Sequence, residues 1–397
     1  LPRRRAGRVS YNQLRVKMSV GGLTTYGIND GFLDGMIRGF KAGILNGSDY
    51  ANLQQCDTLE DIKLHLSSTA YGDFLADEQG PPHTTTLQER CRDKLVQEIK
   101  YVRSQAMQPF AKFVDYITYQ YMIDNLILLI QGAINQRSIP ELLEKCHPLG
   151  LFETMGIAMI TDTKTDRSGQ EVDVIDITQL YNRIIIDTPL APYFRDCLSR
   201  DALQDLAVGP GGMANSGEIE IIRNLLHKAY LEDFYRFCRE ELGGLTAETM
   251  SELLEFEADR RAITITQNCM GKDIGKDDRE KLYCNFGRLY PEATEKLAKA
   301  SDMDEVRAVL ELPGYGDYKL VLEQTGFGGE DDKSLDQAFA EASVKLCKLS
   351  LEQYFHYGGL YAYIKLKEQE HKNIVWIAEC VAQYKRNKMN DLLIMMF

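Results

Sequence analysis

Apolar residues in this 397-residue chain recur every three to four positions over long stretches. No other feature of the sequence constrains the fold as much. A helix of 3.6 residues per turn brings such positions onto one face, whereas a half-buried strand needs strict alternation. Residues 87–134 carry the pattern through Leu95, Ile99, Val102 and Ala106, then through Phe110, Phe113, Val114 and Ile117. Pro109 stands between the two sets. It predicts a helix end or a kink there, because proline lacks the amide that an internal turn needs. Residues 218–242 repeat the habit with Ile221, Ile222, Leu225, Leu226, Ala229, Phe234 and Phe237, and residues 334–386 do so at length. Strand signals are confined to residues 157–161 and 172–177. Loops are predicted at 79–86, 161–169, 209–217 and 326–333, where Gly, Pro, Ser and charge gather. The predicted fold class is all-α.

An internal repeat organises these helices. Residues 57–74 read DTLEDIKLHLSSTAYGDF and residues 302–318 read DMDEVRAVLELPGYGDY. Ile62, Leu66, Tyr71 and Phe74 align with Val306, Leu310, Tyr315 and Tyr318 at identical spacing. A looser third copy spans residues 180–194, where Ile185, Leu190 and Tyr193 keep the last two intervals and Thr188 matches Thr69. A second pattern pairs residues 257–263 with 368–374, with 119–130 as a degenerate member in which Asn125-Leu126 matches Asn373-Ile374. Glu257 and Arg261, like Glu368 and Lys372, stand four apart and share a helix face. Such exposed pairs contribute about 0.2–0.5 kcal/mol each. Ile263 and Ile374 then turn toward the core. The repeats predict three related helical units, 26–150, 151–270 and 271–397, preceded by a disordered N-terminal extension over residues 1–25.

Charge narrows the partners. The chain has 46 basic and 59 acidic residues, a net of −13. That argues against a counterion-displacing nucleic-acid face and against docking on anionic lipid, while it suits partners with basic patches. The longest purely apolar runs, 392–397 and 126–130, fall far short of the about 20 residues a membrane span needs. Any membrane association is therefore expected to go through a partner. Nine cysteines are scattered singly, without a C-x-x-C, which reads as reduced thiols in the cytosol. The chain opens on Leu1 and an arginine-rich stretch, and Met18-Ser19 is expected to be the natural start. Asn46-Gly47-Ser48 matches a glycosylation sequon, which matters only in a secreted chain.

Candidate chemistry is sparse. Gly209-Pro-Gly211-Gly-Met-Ala214 fits G-x-G-x-x-A, but the preceding residues look helical and Pro210 removes an amide, so a loop is expected. Residues 271–277 resemble a phosphate-binding loop one residue short, ending in Asp277 where a hydroxyl is required. Asp331, Asp332 and Asp336 read as a solvated helix N-terminus, where carboxylates meet the favourable end of the dipole. Glu255, Glu257 and Asp259 are neutralised by Arg260 and Arg261 and read as salt-bridged helix surface. The six histidines (65, 83, 147, 227, 356, 371) stand apart, and Cys146-His147-Pro148 reads as a helix end with its stop proline. No catalytic, cofactor-binding or metal-ligating residue is assigned, and no cofactor is expected. Aromatic residues are abundant near 116–121 and 354–363. Core packing accounts for most of them, and partner contact for the remainder.

Several stretches are distinctive, among them Gly31-Phe-Leu-Asp-Gly-Met-Ile-Arg-Gly-Phe-Lys-Ala-Gly-Ile-Leu45, Tyr121-Met-Ile-Asp-Asn-Leu-Ile-Leu-Leu-Ile130 and Lys145-Cys-His-Pro-Leu-Gly150, and in them the chain resembles the d subunits of eukaryotic V-type proton ATPases. Leu254-Glu-Phe-Glu-Ala-Asp-Arg-Arg261, Gly287-Arg-Leu-Tyr-Pro-Glu292 and Asn373-Ile-Val-Trp-Ile-Ala-Glu-Cys380 extend the likeness nearly to the C-terminus. Residues 1–25 depart from the family, and 161–171 and 209–217 look like insertions. The resemblance implies a non-catalytic, all-helical funnel of three units in pseudo-threefold arrangement. It implies a place on the cytoplasmic face of vacuolar or other acidic endomembranes, between the proteolipid c-ring and the central-stalk subunits.

Overall fold

A computed structural model describes residues 23–76, 82–151 apart from 136 and 138, 161–165, 171–175, 188–197, 216–270, 275–312, 314–325 and 333–397. Of the sequence expectations, the extension up to residue 22, strand residues 157–160, the third repeat copy through Asp187, and residues 209–215, 271–274 and 326–332 lie outside this set. In chain order the helices are α1 (Leu23–Asn29), α2 (Gly31–Lys41), α3 (Gly47–Gln55), α4 (Leu59–Ser67), α5 (Gly72–Leu75), α6 (Thr84–Gln105), α7 (Phe110–Ile134) and α8 (Ile139–Lys145). After a hairpin come α9 (Ala191–Cys197), α10 (Ser216–Phe237), α11 (Gly244–Cys269), α12 (Lys276–Lys281) and α13 (Glu292–Lys299). The last four are α14 (Met303–Leu310), α15 (Gly316–Glu323), α16 (Leu335–Glu352) and α17 (Gly358–Ala382). A π-helical turn, Cys238–Leu242, joins α10 to α11.

The fold is all-α apart from the hairpin, in which β1 (Thr161–Thr165) pairs antiparallel with β2 (Glu171–Ile175). Residues 161–165 were expected to be loop. Their alternating threonines carry a β-branched preference that the charges between them obscure. The helix ends follow local chemistry. α6 stops at Gln105, and Pro109 supplies the carbonyl that Phe113 N–H donates to at 3.2 Å in the first turn of α7. Asn46 and Thr58 each accept N-terminal amides and complete capping boxes with Asp49 and Asp61. Ser334 caps α16 through Gln337 N–H, with Asp336 in its first turn.

Two compact units contain these elements. Unit 1 comprises residues up to Phe113, Tyr235–Glu257 and Arg307–Phe397; unit 2 comprises Val114–Phe234 and Ala258–Val306. In unit 1, α17 packs against α16, α6, α2 and α4. Its Leu360, Ile364, Leu366, Ile374 and Ile377 are buried, and α6 contributes Leu87, Cys91, Leu95, Ile99 and Val102. In unit 2 the Tyr116 ring stacks on Phe234 at 5.2 Å. The hydroxyls of Tyr116 and Tyr193 both donate to Asp233, at 2.9 and 2.8 Å.

Counterpart residues of the repeat begin counterpart helices. α4 and α14 start at Leu59 and Met303, and α5 and α15 start at Gly72 and Gly316, the same interval apart in each copy. Ile62, Leu66, Val306 and Leu310 are all fully buried. α9 starts directly after Leu190, as α5 starts directly after Tyr71. The aromatic excess divides. Tyr116, Tyr121, Tyr357, Tyr361 and Tyr363 are core, whereas Tyr354 and Phe355 are exposed. Among the described residues no helix is long and apolar enough to cross a membrane.

Candidate functional site

The most concentrated chemistry lies inside unit 1, where α17 carries two charges into the core. The side chains of Lys367 and Glu370, one turn apart, are both 0% exposed. Lys367 Nζ donates to Glu370 Oε1 at 2.5 Å and to the Tyr71 hydroxyl at 3.0 Å. The Tyr71 hydroxyl donates in turn to Glu370 Oε1. The other carboxylate oxygen accepts the Leu45 backbone N–H at 2.8 Å. Beside this group Lys94 pairs with Glu98 on α6, and the Tyr363 hydroxyl donates to Glu98 Oε2 at 2.6 Å. Lys367 Nζ also lies 4.5 Å from the centre of the Tyr71 ring, where the π-face attracts a cation. Two ammonium groups thus face two carboxylates, and every link joins segments distant in sequence or successive turns of one helix.

Burial sets the proton affinities here. It pushes Lys367 below the ordinary lysine range, against the opposing pull of Glu370. It holds Tyr71 protonated, an effect the Glu370 charge reinforces. It raises the Cys91 thiol to about 12, with Glu370 adding to the shift. Cys347, in α16, is likewise pushed up to about 12 by burial. The stability consequence has a definite sign. An unfolded thiol loses its proton near 9.0, while these folded thiols keep theirs until much higher pH. The stabilisation is fully present below that value and is lost as pH rises toward 12. The melting temperature in reductant is expected to fall steadily as pH is raised through the thiol range. A flat profile would show that these thiols are solvated.

The repeat reuses the buried carboxylate. Asp259, at the position of α11 that matches Glu370, is 1% exposed and accepts Arg288 N–H at 2.9 Å and Leu289 N–H at 3.2 Å. Leu289 precedes Val306 by the same interval as Leu45 precedes Ile62, its aligned counterpart. A Cβ on Gly287, whose φ is +125°, would come within 2.3 Å of the Asp259 carboxylate, so only glycine fits the approach. A buried amide is reused as well. Asn125 accepts His147 N–H at 2.7 Å and donates to His147 O at 2.9 Å. Asn373 donates to Ile394 O at 2.7 Å and accepts Ile394 N–H at 3.3 Å. In each case one side chain on a long helix clamps both backbone groups of one residue. Asp259, expected on a salt-bridged surface, therefore belongs to the interior. The neighbouring carboxylates are half-buried: Glu255 accepts from the Tyr235 hydroxyl at 2.8 Å, and Glu368 pairs with Lys365 at 3.1 Å rather than with Lys372, the partner its spacing suggested.

The turn between α16 and α17 is held the same way. Arg38 of α2 donates to Leu351 O at 3.0 Å and Gln353 O at 2.7 Å, satisfying carbonyls at the end of α16. Its guanidinium lies 3.6 Å from the Tyr354 ring centre, and Asp34 accepts its Nε at 3.0 Å. Next to it the buried Tyr357 ring meets Phe110 at 4.5 Å, Phe113 at 5.6 Å and Tyr26 at 5.7 Å. Its hydroxyl donates to buried Asp30 at 3.0 Å, and its N–H to Thr246 Oγ1 at 3.2 Å.

The residues singled out in the sequence take structural positions. His147 Nδ1 accepts Leu149 N–H at 3.2 Å and caps a single 3₁₀ turn, while its ring stacks on Tyr121 at 4.2 Å. His227 is buried against Asp124 at 3.2 Å. Burial lowers the pKa of His356 and keeps it neutral. Gly275 opens the short α12. A groove of about 510 Å³ runs along α17, with Val375, Trp376, Ala340, Leu392 and Ile394 on its floor and Lys372 and Glu379 among its polar residues. Among the described residues no group of three or more His, Cys, Asp or Glu is placed to hold a metal ion. Sequence reasoning missed Lys367 and Glu370. The available signal was two opposite charges on the stripe that also carries Ile364 and Ile374.

Fold and site together define an all-helical protein whose buried charges and amides fasten distant segments to its long helices. A family model describing the ATP synthase (C/AC39) subunit matches residues 33–392. The V-type proton ATPase subunit d of Dictyostelium discoideum is 49% identical over 374 residues, covering 94% of this chain and 97% of that protein. The probable V-type proton ATPase subunit d of Oryza sativa subsp. japonica is 45% identical, over 94% of this chain and 99% of that protein. Subunit d of Saccharomyces cerevisiae is 42% identical, over 93% and 98% respectively. The chain belongs to the ATP synthase (C/AC39) subunit family.

Proposed function

We propose that this chain serves as a d-type subunit of a rotary V-type proton ATPase, a non-catalytic part that couples central-stalk rotation to the proteolipid c-ring and so supports proton transport and organelle acidification. The observation that carries the reading is the likeness to proteins named as that subunit: in one case 49% identity over 94% of this chain and 97% of that protein. The physical task fits the interior. A coupler must pass torque without yielding, and densely packed helices resist deformation. Clamps such as Glu370 on Leu45 N–H and Asn373 on Ile394 fix loops to the long helices that would bear the load.

In this reading the units 26–150, 151–270 and 271–397 form a funnel-like cup with pseudo-threefold arrangement. The cup lies peripherally on the cytoplasmic face of vacuolar or other acidic endomembranes and reaches the membrane only through its partners. The net charge of −13 complements basic stalk helices, and a joint that does not slip should bury well above about 1,000 Å². Depleting the chain is expected to abolish organelle acidification, and the tagged full-length chain is expected to co-purify with ring and stalk subunits. A membrane complex that lacks the chain yet still couples ATP hydrolysis to proton movement would defeat the reading. So would a purified chain indifferent to both ring and stalk, which would make it a generic helical adaptor.

A further inference from the structure

The stretches of unit 1 that converge on Tyr357 each also carry a large apolar side chain outward. Ile28 is 78% exposed, Met107 68%, Tyr354 54%, Leu245 46% and Phe355 43%. Single exposed apolar residues are ordinary, but a group of them gathered at one end of a unit marks an interaction surface. Their proximity follows from the hub beneath. Tyr26 lies 6.0 Å from Phe355 and 5.7 Å from Tyr357, Phe110 packs on Tyr357, and Thr246 holds the Tyr357 N–H. Phe355 also adopts φ +67°, a conformation bulky side chains rarely take. Strain of this kind, kept for a ring that stays partly in water, points to use outside the chain.

Charge identifies the occupant. Glu240, Glu248, Glu252 and Glu352 are exposed on adjoining turns. Thr249 Oγ1, donating to Gln353 Oε1 at 3.2 Å, ties the Glu248–Glu252 stretch to the end of α16, where Glu352 lies. None of the four carboxylates enters an ion pair among the described residues. Nearby cations are already engaged: Lys112 with both oxygens of Glu241 at 2.9 Å, Arg239 with the Tyr235 hydroxyl at 2.9 Å, and Arg38 as described above. Glu248 and Glu252 stand one turn apart, an arrangement that disfavours a helix unless a cation comes between.

We propose that this end of unit 1 docks a basic amphipathic helix of a neighbouring ATPase subunit, with its apolar stripe on Leu245 and Phe355 and its Lys or Arg side chains against Glu248, Glu252 and Glu352. The inference rests on the functional reading above and gives that assembly a specific contact. An anionic membrane would be repelled by the same carboxylates, and a second copy of this chain would set them against themselves.

The test uses the full-length chain in the assembled pump, with benzoylphenylalanine in place of Leu245. After irradiation, the cross-link is expected in a subunit helix that carries Lys or Arg at three-to-four spacing. Glu248→Lys/Glu252→Lys should lower recovery of the chain with the complex about tenfold or more at physiological ionic strength. Leu245→Ser should lower it without changing charge. All three residues are exposed, so the melting temperature of the free chain should not move. Reversing the cation in the cross-linked helix should restore the charge-reversed variant. Undiminished recovery of both variants overturns the inference, as does a cross-link to lipid, to a second copy or to an acidic segment. If the variants match a wild-type chain that itself co-purifies, only this contact falls. If the wild-type chain is absent from the pump, the functional reading falls with it.

Discussion

Ile374→Asp is expected to destabilise the protein by about 3–5 kcal/mol, the range for truncating a buried aliphatic side chain and leaving a polar group without a partner. Ile374 is 0% exposed on α17, the helix against which α16, α6, α2 and α4 all pack. Its neighbour Asn373 already uses its amide on Tyr50 and Ile394. A carboxylate at 374 would therefore have to ionise among apolar side chains or stay protonated at the cost of a raised pKa. Domains of this kind are stable by only about 5–15 kcal/mol, so the loss should be visible as a large drop in melting temperature and urea midpoint. A variant that melts like the wild type would mean that this face of α17 is solvated.

Lys367→Met should be nearly as damaging, for a different reason. The substitution keeps the volume and removes the ammonium bonded to Glu370, leaving a fully buried carboxylate with the Tyr71 hydroxyl and the Leu45 N–H as its donors among the described residues. Breaking one partner of such a pair costs about 3–5 kcal/mol. The double variant Lys367→Met/Glu370→Gln should regain much of that loss. A neutral glutamine still accepts the Leu45 N–H and carries no charge to compensate. The informative measurement is the comparison of urea midpoints for the single and double variants. If the double variant is less stable than Lys367→Met, the pair itself, and not the orphaned charge, supplies the stability.

Much of this was legible in the sequence, and the reasons are specific. The helix break at Pro109 and the inward turn of Ile263 and Ile374 each depend on a few neighbouring residues, and each lies where spacing placed it. The repeat was readable because its apolar intervals are identical. The site was less legible. The pattern at 257–261 and 368–372 drew attention to its outer, oppositely charged positions, whereas the residues that do the fastening are Asp259 and Glu370 between them. The hairpin was half seen, because lysine and aspartate separate the threonines of its first strand.

Local sequence determined which residues form helices, where they start, which copies correspond and to which family the chain belongs, because helix periodicity and caps act within a few residues. It left undecided which charges are interior. A periodic pattern gives a side chain's direction on its own helix and does not say what arrives to cover it. Glu370 is buried because Leu45 and Tyr71, 325 and 299 residues away in the chain, come to rest on it. Only the packed structure brings donors from that distance, and only there does a carboxylate that would be costly to bury alone become a fastening.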